Sequence, residues 1–185
     1  MKMLVKNKVS PTTEAINNLL PKIDNQKRIF CTNKKWNGFK EDFDILKCLW
    51  KPLGLWYALG NEWIDWCIGA GWGVGVYLYE VELNNDKIIH LKSNDELNDF
   101  SRTFSKNTET KGTKWTDRYN DVDWSKVSSK YDGIEIFPYI YHYEKSPLFY
   151  YGWDVASGCL WKKPAIKEVR LLAEYNSKRN KYLFG

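Results

Sequence analysis

The stretch Tyr150-Tyr151-Gly152-Trp153-Asp154-Val155-Ala156-Ser157-Gly158-Cys159-Leu160-Trp161 combines aromatic rings, one acid, one hydroxyl and two glycines. A core strand has no use for an acid among tryptophans. An exposed loop has no use for so much aromatic area. The mixture suits the wall of a cleft, where flat rings hold a ligand and a few polar groups orient it. The spacing predicts a strand from about Trp153 to Trp161, with Leu160 and Trp161 in the core. A second aromatic stretch, Trp50-Lys51-Pro52-Leu53-Gly54-Leu55-Trp56-Tyr57, carries a Lys-Pro turn and then a strand over 54–58. These two segments are expected to work together.

Outward from them, Arg28-Ile29-Phe30-Cys31, Val76 to Leu83, Lys87 to Leu91, Ile134 to Phe137 and Ile166 to Leu172 read as strands, rich in branched and aromatic residues. Asn84-Asn85-Asp86 reads as the turn of a hairpin joining two of them. Thr13 is placed to cap a short helix through Leu20. Asn61 is placed to cap another, with Trp63, Trp66 and Cys67 on one face. Ser93-Asn94-Asp95-Glu96 matches a capping box, and Asp123 suits a cap before Val127 and Tyr131. Ser105 to Asn120 is polar and aperiodic, with the length of a functional lid. Gly69, Gly71, Gly73 and Gly75 follow a helix and lead into a strand. That is the reverse of a phosphate loop, so they read as a linker.

About seven short strands and three or four helices, without regular alternation, predict an α+β fold. Its strands are expected to be mostly antiparallel, in split or twisted small sheets. The predicted organisation is a polar N-terminal arm over 1–26, one α+β domain over 27–176 and a basic C-terminal tail over 177–185.

A chain of 185 residues suits one domain with a full core. With 43% hydrophobic and 28% charged residues it is excluded from the disordered class. The net charge of +5 permits nucleic-acid contact without demanding it. Cys31, Cys48, Cys67 and Cys159 are scattered and the histidines are His90 and His142, so neither a zinc site nor a disulfide framework is expected. His90 reads as an ordinary strand residue. No apolar run has the length of a signal peptide or a membrane span. The expectation is a cytoplasmic monomer with free thiols, no metal and no membrane partner.

The acids placed to do chemistry are Glu135, within a predicted strand, and Asp154, at the mouth of the aromatic strand. Partial desolvation makes such an acid a better acceptor for a ligand hydroxyl. Lys51 sits beside aromatic faces, where a cation can hold a phosphate or stack on a ring. Trp56 and Tyr57 alternate faces of their strand, so only one of them can face a given pocket.

The order of elements resembles the ADP-ribosyltransferase fold of poly-ADP-ribose polymerases and related toxins. The likeness runs over residues 28 to 173. It is closest at Cys159-Leu160-Trp161, Pro164-Ala165-Ile166 and Val169-Arg170-Leu171-Leu172, which resemble that family's last two strands. The Lys-Pro-x-Gly-Leu-Trp and Trp-Asp-x-Ala-Ser-Gly-Cys-x-Trp segments are also similar to those of a group of uncharacterised proteins. The resemblance implies NAD as substrate and an unidentified protein or nucleic-acid acceptor. It places Gly54 to Ala58 where the family grips nicotinamide, and Arg28 at the family's first-strand His or Arg. The implied site has Asp154 and Glu135 as catalytic acids, with Lys51, Trp56, Tyr57, Trp153 and Ser157 holding NAD. The family's glutamate before the hydrophobic triplet is absent, and Ser157 and Asp154 stand in that neighbourhood. From the residues themselves, two other readings stand beside this one: an aromatic-cleft module that binds a nucleotide or nucleic acid, and a scaffold that binds a partner through Tyr139 to Tyr143.

Overall fold

β3 (Tyr77–Leu83) buries Tyr77, Leu78 and Tyr79 in succession and then alternates, so its first half is covered on both faces and its second half on one. It lies near the middle of one eight-stranded sheet in a computed structural model that describes residues 11–39, 42–43, 51–106, 122–141 and 147–185. The other strands are β1 (Arg28–Thr32), β2 (Leu55–Leu59), β4 (Ile88–Leu91), β5 (Gly133–Ile136), β6 (Ser157–Leu160), β7 (Ile166–Asn176) and β8 (Lys181–Phe184). Their spatial order is β4-β5-β6-β2-β1-β3-β7-β8. Every neighbouring pair is antiparallel except β4 and β5, which run parallel. The fold is therefore α+β with a mostly antiparallel mixed sheet, one sheet rather than the small split sheets expected.

The hairpin expected between Val76–Leu83 and Lys87–Leu91 does not form. β3 pairs with β1 and β7, while β4 goes to the far edge beside β5. The single helical turn at Asn85–Lys87 redirects the chain where a hairpin turn was expected. Parallel strands need a long crossover, and α3 (Asn94–Thr103) and α4 (Trp124–Lys130) lie within the one joining β4 to β5.

The helix starts follow capping chemistry. Ser93 Oγ accepts from the Glu96 amide at 3.2 Å, and Glu96 reaches back to the Lys92 amide. Asp123 accepts from the amides of Ser125 and Lys126. α1 (Thr13–Asn17) is capped by Thr12, one residue before the position expected. α2 (Glu62–Ala70) ends at Gly71, so the first part of the glycine run closes a helix.

Two of the predicted boundaries change. The segment 1–26 is not all a polar arm, because Ala15, Ile16, Leu19 and Ile23 enter the core beside Ile29 and Leu78. The segment 177–185 is not a tail, because β8 pairs with β7. The turn between them places Asn180 at φ 45°, a conformation asparagine tolerates. Asn180 Oδ1 accepts from the Thr12 hydroxyl at 2.7 Å and the Tyr175 hydroxyl at 3.0 Å, while Nδ2 donates to Glu14 at 3.2 Å. The two ends of the described chain are thereby tied together.

Candidate functional site

Cross-strand register decides which side chains can meet. Directly paired residues share a face, and the next row points to the other. Tyr57 pairs with Gly158, Gly158 with Glu135, and Glu135 with His90. That row crosses β2, β6, β5 and β4 on one face. The adjacent rows, Trp56-Cys159-Ile134-Ile89 and Ala58-Ser157-Ile136-Leu91, point to the other face. Arg28 pairs with Leu59, two residues from Tyr57, and so joins the Glu135 face.

Glu135 is 5% exposed, and three side chains make four contacts with its carboxylate. Arg28 Nε donates to Oε2 at 2.5 Å and Nη2 to Oε1 at 3.0 Å. The Tyr57 hydroxyl donates to Oε2 at 2.8 Å, and His90 Nδ1 lies 3.2 Å from Oε1. Gly158 makes this reach possible. A Cβ there would collide with the Tyr57 hydroxyl and stand 2.7 Å from the Ile134 carbonyl oxygen, so the tyrosine can lie across β6 only because that side chain is absent.

The electrostatics follow from this packing. Burial pushes the Glu135 carboxyl up, but the Arg28 guanidinium and the Tyr57 hydroxyl outweigh it and hold the acid below its ordinary range. Burial, reinforced by the Glu135 charge, pushes the Tyr57 hydroxyl well above its ordinary value. The bond to Glu135 raises Arg28. The result is an ionised carboxylate with a neutral phenol and a cation beside it. The Arg28 and His90 side chains keep 26% and 31% of their surface exposed, so the cluster is reached from solvent through them.

The opposite face holds an aromatic cleft of about 510 Å³. Ile29, Ala58, Ser157 and Trp56 supply its floor, and Trp63, Trp66 and Trp72 its wall. Trp63 and Trp66 stack at 4.9 Å with planes 12° apart, and Trp72 meets Trp66 edge-on at 5.3 Å. Lys51 and Asp154 stand at the cleft with Nζ and Oδ2 3.7 Å apart. Desolvation pulls the Lys51 ammonium below its ordinary value, with Asp154 opposing.

The sequence-predicted site is thus divided between two faces. Glu135 and Tyr57 meet on one, whereas Lys51, Trp56, Asp154 and Ser157 meet on the other. Asp154 is not joined to Glu135 in a catalytic pair. Trp153 cannot line a site, since it is 1% exposed and packs edge-on against Trp56 at 5.0 Å within the core. The Ser157 hydroxyl is buried and donates to the Val155 carbonyl at 2.9 Å. His90, read as an ordinary strand residue, belongs to the polar row. An acid flanked by Ile134 and Ile136 in a short strand was the signal that cations must surround it, but not which ones. Trp50, most of the Ser105–Asn120 loop and Tyr143 lie outside the described residues.

Among the described residues, no group of three or more His, Cys, Asp or Glu side chains is placed to hold a metal ion. No described helix is long and apolar enough to cross a membrane. Comparison of the chain with family models, curated proteins and solved structures found no match to any of them.

Proposed function

We propose that the chain binds NAD against the Glu135 face and transfers ADP-ribose from it. The observation that carries this reading is the convergence of Arg28 from β1, Tyr57 from β2 and Glu135 from β5 on one ionised, desolvated carboxylate. The ADP-ribosyltransferase resemblance places its cation on the first strand, its aromatic or serine strand second and its acid later. In the reaction, the carboxylate accepts a hydrogen bond from the ribose 2′-hydroxyl. The C1′–N bond breaks, and its electron pair leaves with nicotinamide. The positive charge left on the sugar is stabilised by the nearby anion, an interaction that strengthens in the transition state. A nucleophilic atom of the acceptor then bonds to C1′ and loses its proton.

A carboxylate offers about four lone-pair sites, and the four contacts already present fill them. A substrate hydroxyl must therefore displace one. The His90 contact, at 3.2 Å the longest of the four, is the one to yield. The same saturation supports a second reading, in which the cluster is a structural clamp between strands.

The two are separated by incubating the protein with labelled NAD and following nicotinamide release and the NAD-dependent thermal shift. The transferase reading expects a shift and release in the wild type. It expects Glu135→Gln to keep the shift while release falls by about 100-fold or more. Absence of both signals from the wild type would leave only the clamp.

A further inference from the structure

The aromatic cleft is lined mainly from the face opposite Glu135, with Tyr57, whose hydroxyl donates to Glu135, as the residue common to both. Its walls are apolar and flat, while its polar side chains form one compact group at the cleft. The Lys51 stem lies against Gly152, where a Cβ would meet Lys51 Cγ at 3.0 Å and Cδ at 3.2 Å. This places the ammonium 5.1 Å from the Trp56 ring centre and 5.8 Å from that of Trp153. Its carboxylate partner, Asp154, stands 3.7 Å away, outside hydrogen-bond distance. A cation and an anion are thus held side by side as a loose ion pair in the lining of an aromatic cleft.

Charge complementarity narrows the ligand. An anion is drawn by Lys51 and repelled by Asp154, and a cation meets the reverse. A sugar would bring many hydroxyls to a cleft whose Ser157 hydroxyl is already committed to Val155. A neutral ring edge carrying an acceptor beside a donor satisfies both charges at once. The acceptor takes the ammonium proton, and the N–H donates to the carboxylate.

We infer that this cleft binds a neutral planar aromatic ring bearing an amide-type edge, stacked among Trp56, Trp63, Trp66 and Trp72, with its carbonyl on Lys51 and its N–H on Asp154. That edge occurs in nucleobases and in aromatic carboxamides. Trp72 is 62% exposed at the rim and closes over the ring's outer part. Hydrogen bonds to charged partners and base-on-tryptophan stacking each contribute about a tenfold factor or more.

The test titrates the full chain with guanosine, with benzamide and with N,N-dimethylbenzamide by calorimetry. The expected result is binding of guanosine or benzamide or both. Guanosine alone marks a nucleobase site, and benzamide alone a carboxamide site. N,N-dimethylbenzamide, which keeps the ring and carbonyl but has no N–H, binds about tenfold more weakly than benzamide or not at all. Asp154→Ala removes that discrimination where benzamide binds, and weakens guanosine where it alone binds. Trp72→Ala, at an exposed position, weakens each bound ligand. The inference is overturned if neither guanosine nor benzamide binds at millimolar concentration. It is equally overturned if a bound benzamide and its dimethyl analogue bind alike. A bound ligand whose affinity Trp72→Ala leaves unchanged is not in the cleft, and that result overturns it too.

Discussion

Replacing Arg28 by methionine tests the electrostatic account of the Glu135 row most directly. Methionine keeps an apolar stem but removes both donors. Glu135 is then left ionised at pH 7 in a place where it is 5% exposed, with only Tyr57 and His90 beside it. Removing one partner of a buried ion pair costs about 3–5 kcal/mol. Tyr57 remains and the Arg28 side chain was 26% exposed, so the low end applies, about 3 kcal/mol. With a urea dependence of about 2 kcal/mol per molar, the unfolding midpoint falls by about 1.5 M. The double variant Arg28→Met with Glu135→Gln removes the orphaned charge, and loses less than the sum of the two single losses by about 1–3 kcal/mol. The pH dependence has a fixed sign. In the wild type the Glu135 carboxyl is held below its ordinary value, so its contribution is present above about pH 4.3 and is lost as pH falls through the folded-state value. In Arg28→Met, burial is no longer outweighed and the folded-state value rises. The variant's deficit therefore grows as pH rises and narrows between pH 7 and pH 4. Urea titrations at both pH values, with equal slopes for all variants, measure this. A loss under about 1 kcal/mol at pH 7, or a deficit that does not narrow in acid, refutes the argument.

Two further perturbations test the packing around the site. Gly158→Ala drives a methyl group into the Tyr57 hydroxyl and towards the Ile134 carbonyl oxygen. The expected loss is about 1–3 kcal/mol, read as a drop of roughly 2–4 °C in Tm for each kcal/mol. An unchanged Tm refutes the close approach. Asn180→Gly keeps the left-handed backbone of the β7–β8 turn but removes its side-chain bonds to Thr12, Tyr175 and Glu14. It is expected to cost about 1 kcal/mol and to speed amide exchange in α1, whereas unchanged exchange there means the ends are not coupled.

The strands were legible because their periodicities are local. β1, β3, β5 and β7 begin within a residue of their predicted starts, since branched and aromatic runs carry their own signal. The caps at Ser93 and Asp123 were legible for the same reason. Which strand lies beside which was not. The hairpin expected for Asn84-Asn85-Asp86 failed because a local turn signal competes with a crossover whose reward is the burial of Leu91, Ile134 and Ile136 under α3 and α4. The supposed tail at 177–185 was misread because charged Lys178, Arg179 and Lys181 conceal Tyr182, which buries its ring and donates to the Gly75 carbonyl at 2.6 Å.

The site was half legible for a geometric reason. Glu135, Tyr57, Asp154 and Trp56 were all marked by unusual chemistry for their position, and each lies at one of the two centres. What sequence alone could not supply is the parity of the rows. Trp56 and Tyr57 are adjacent, so they point to opposite faces. Whichever face β6 gives to Gly158 then decides which of the two meets Glu135. Glycine at that position opens a path for the phenol and not for the indole. A single small residue, two strands away from Arg28, thereby gathers the polar groups on one face and leaves Trp56 on the other. The opening aromatic stretch serves both centres: its Gly158 admits Tyr57 to Glu135, while its Asp154 stands beside Lys51 in the cleft behind.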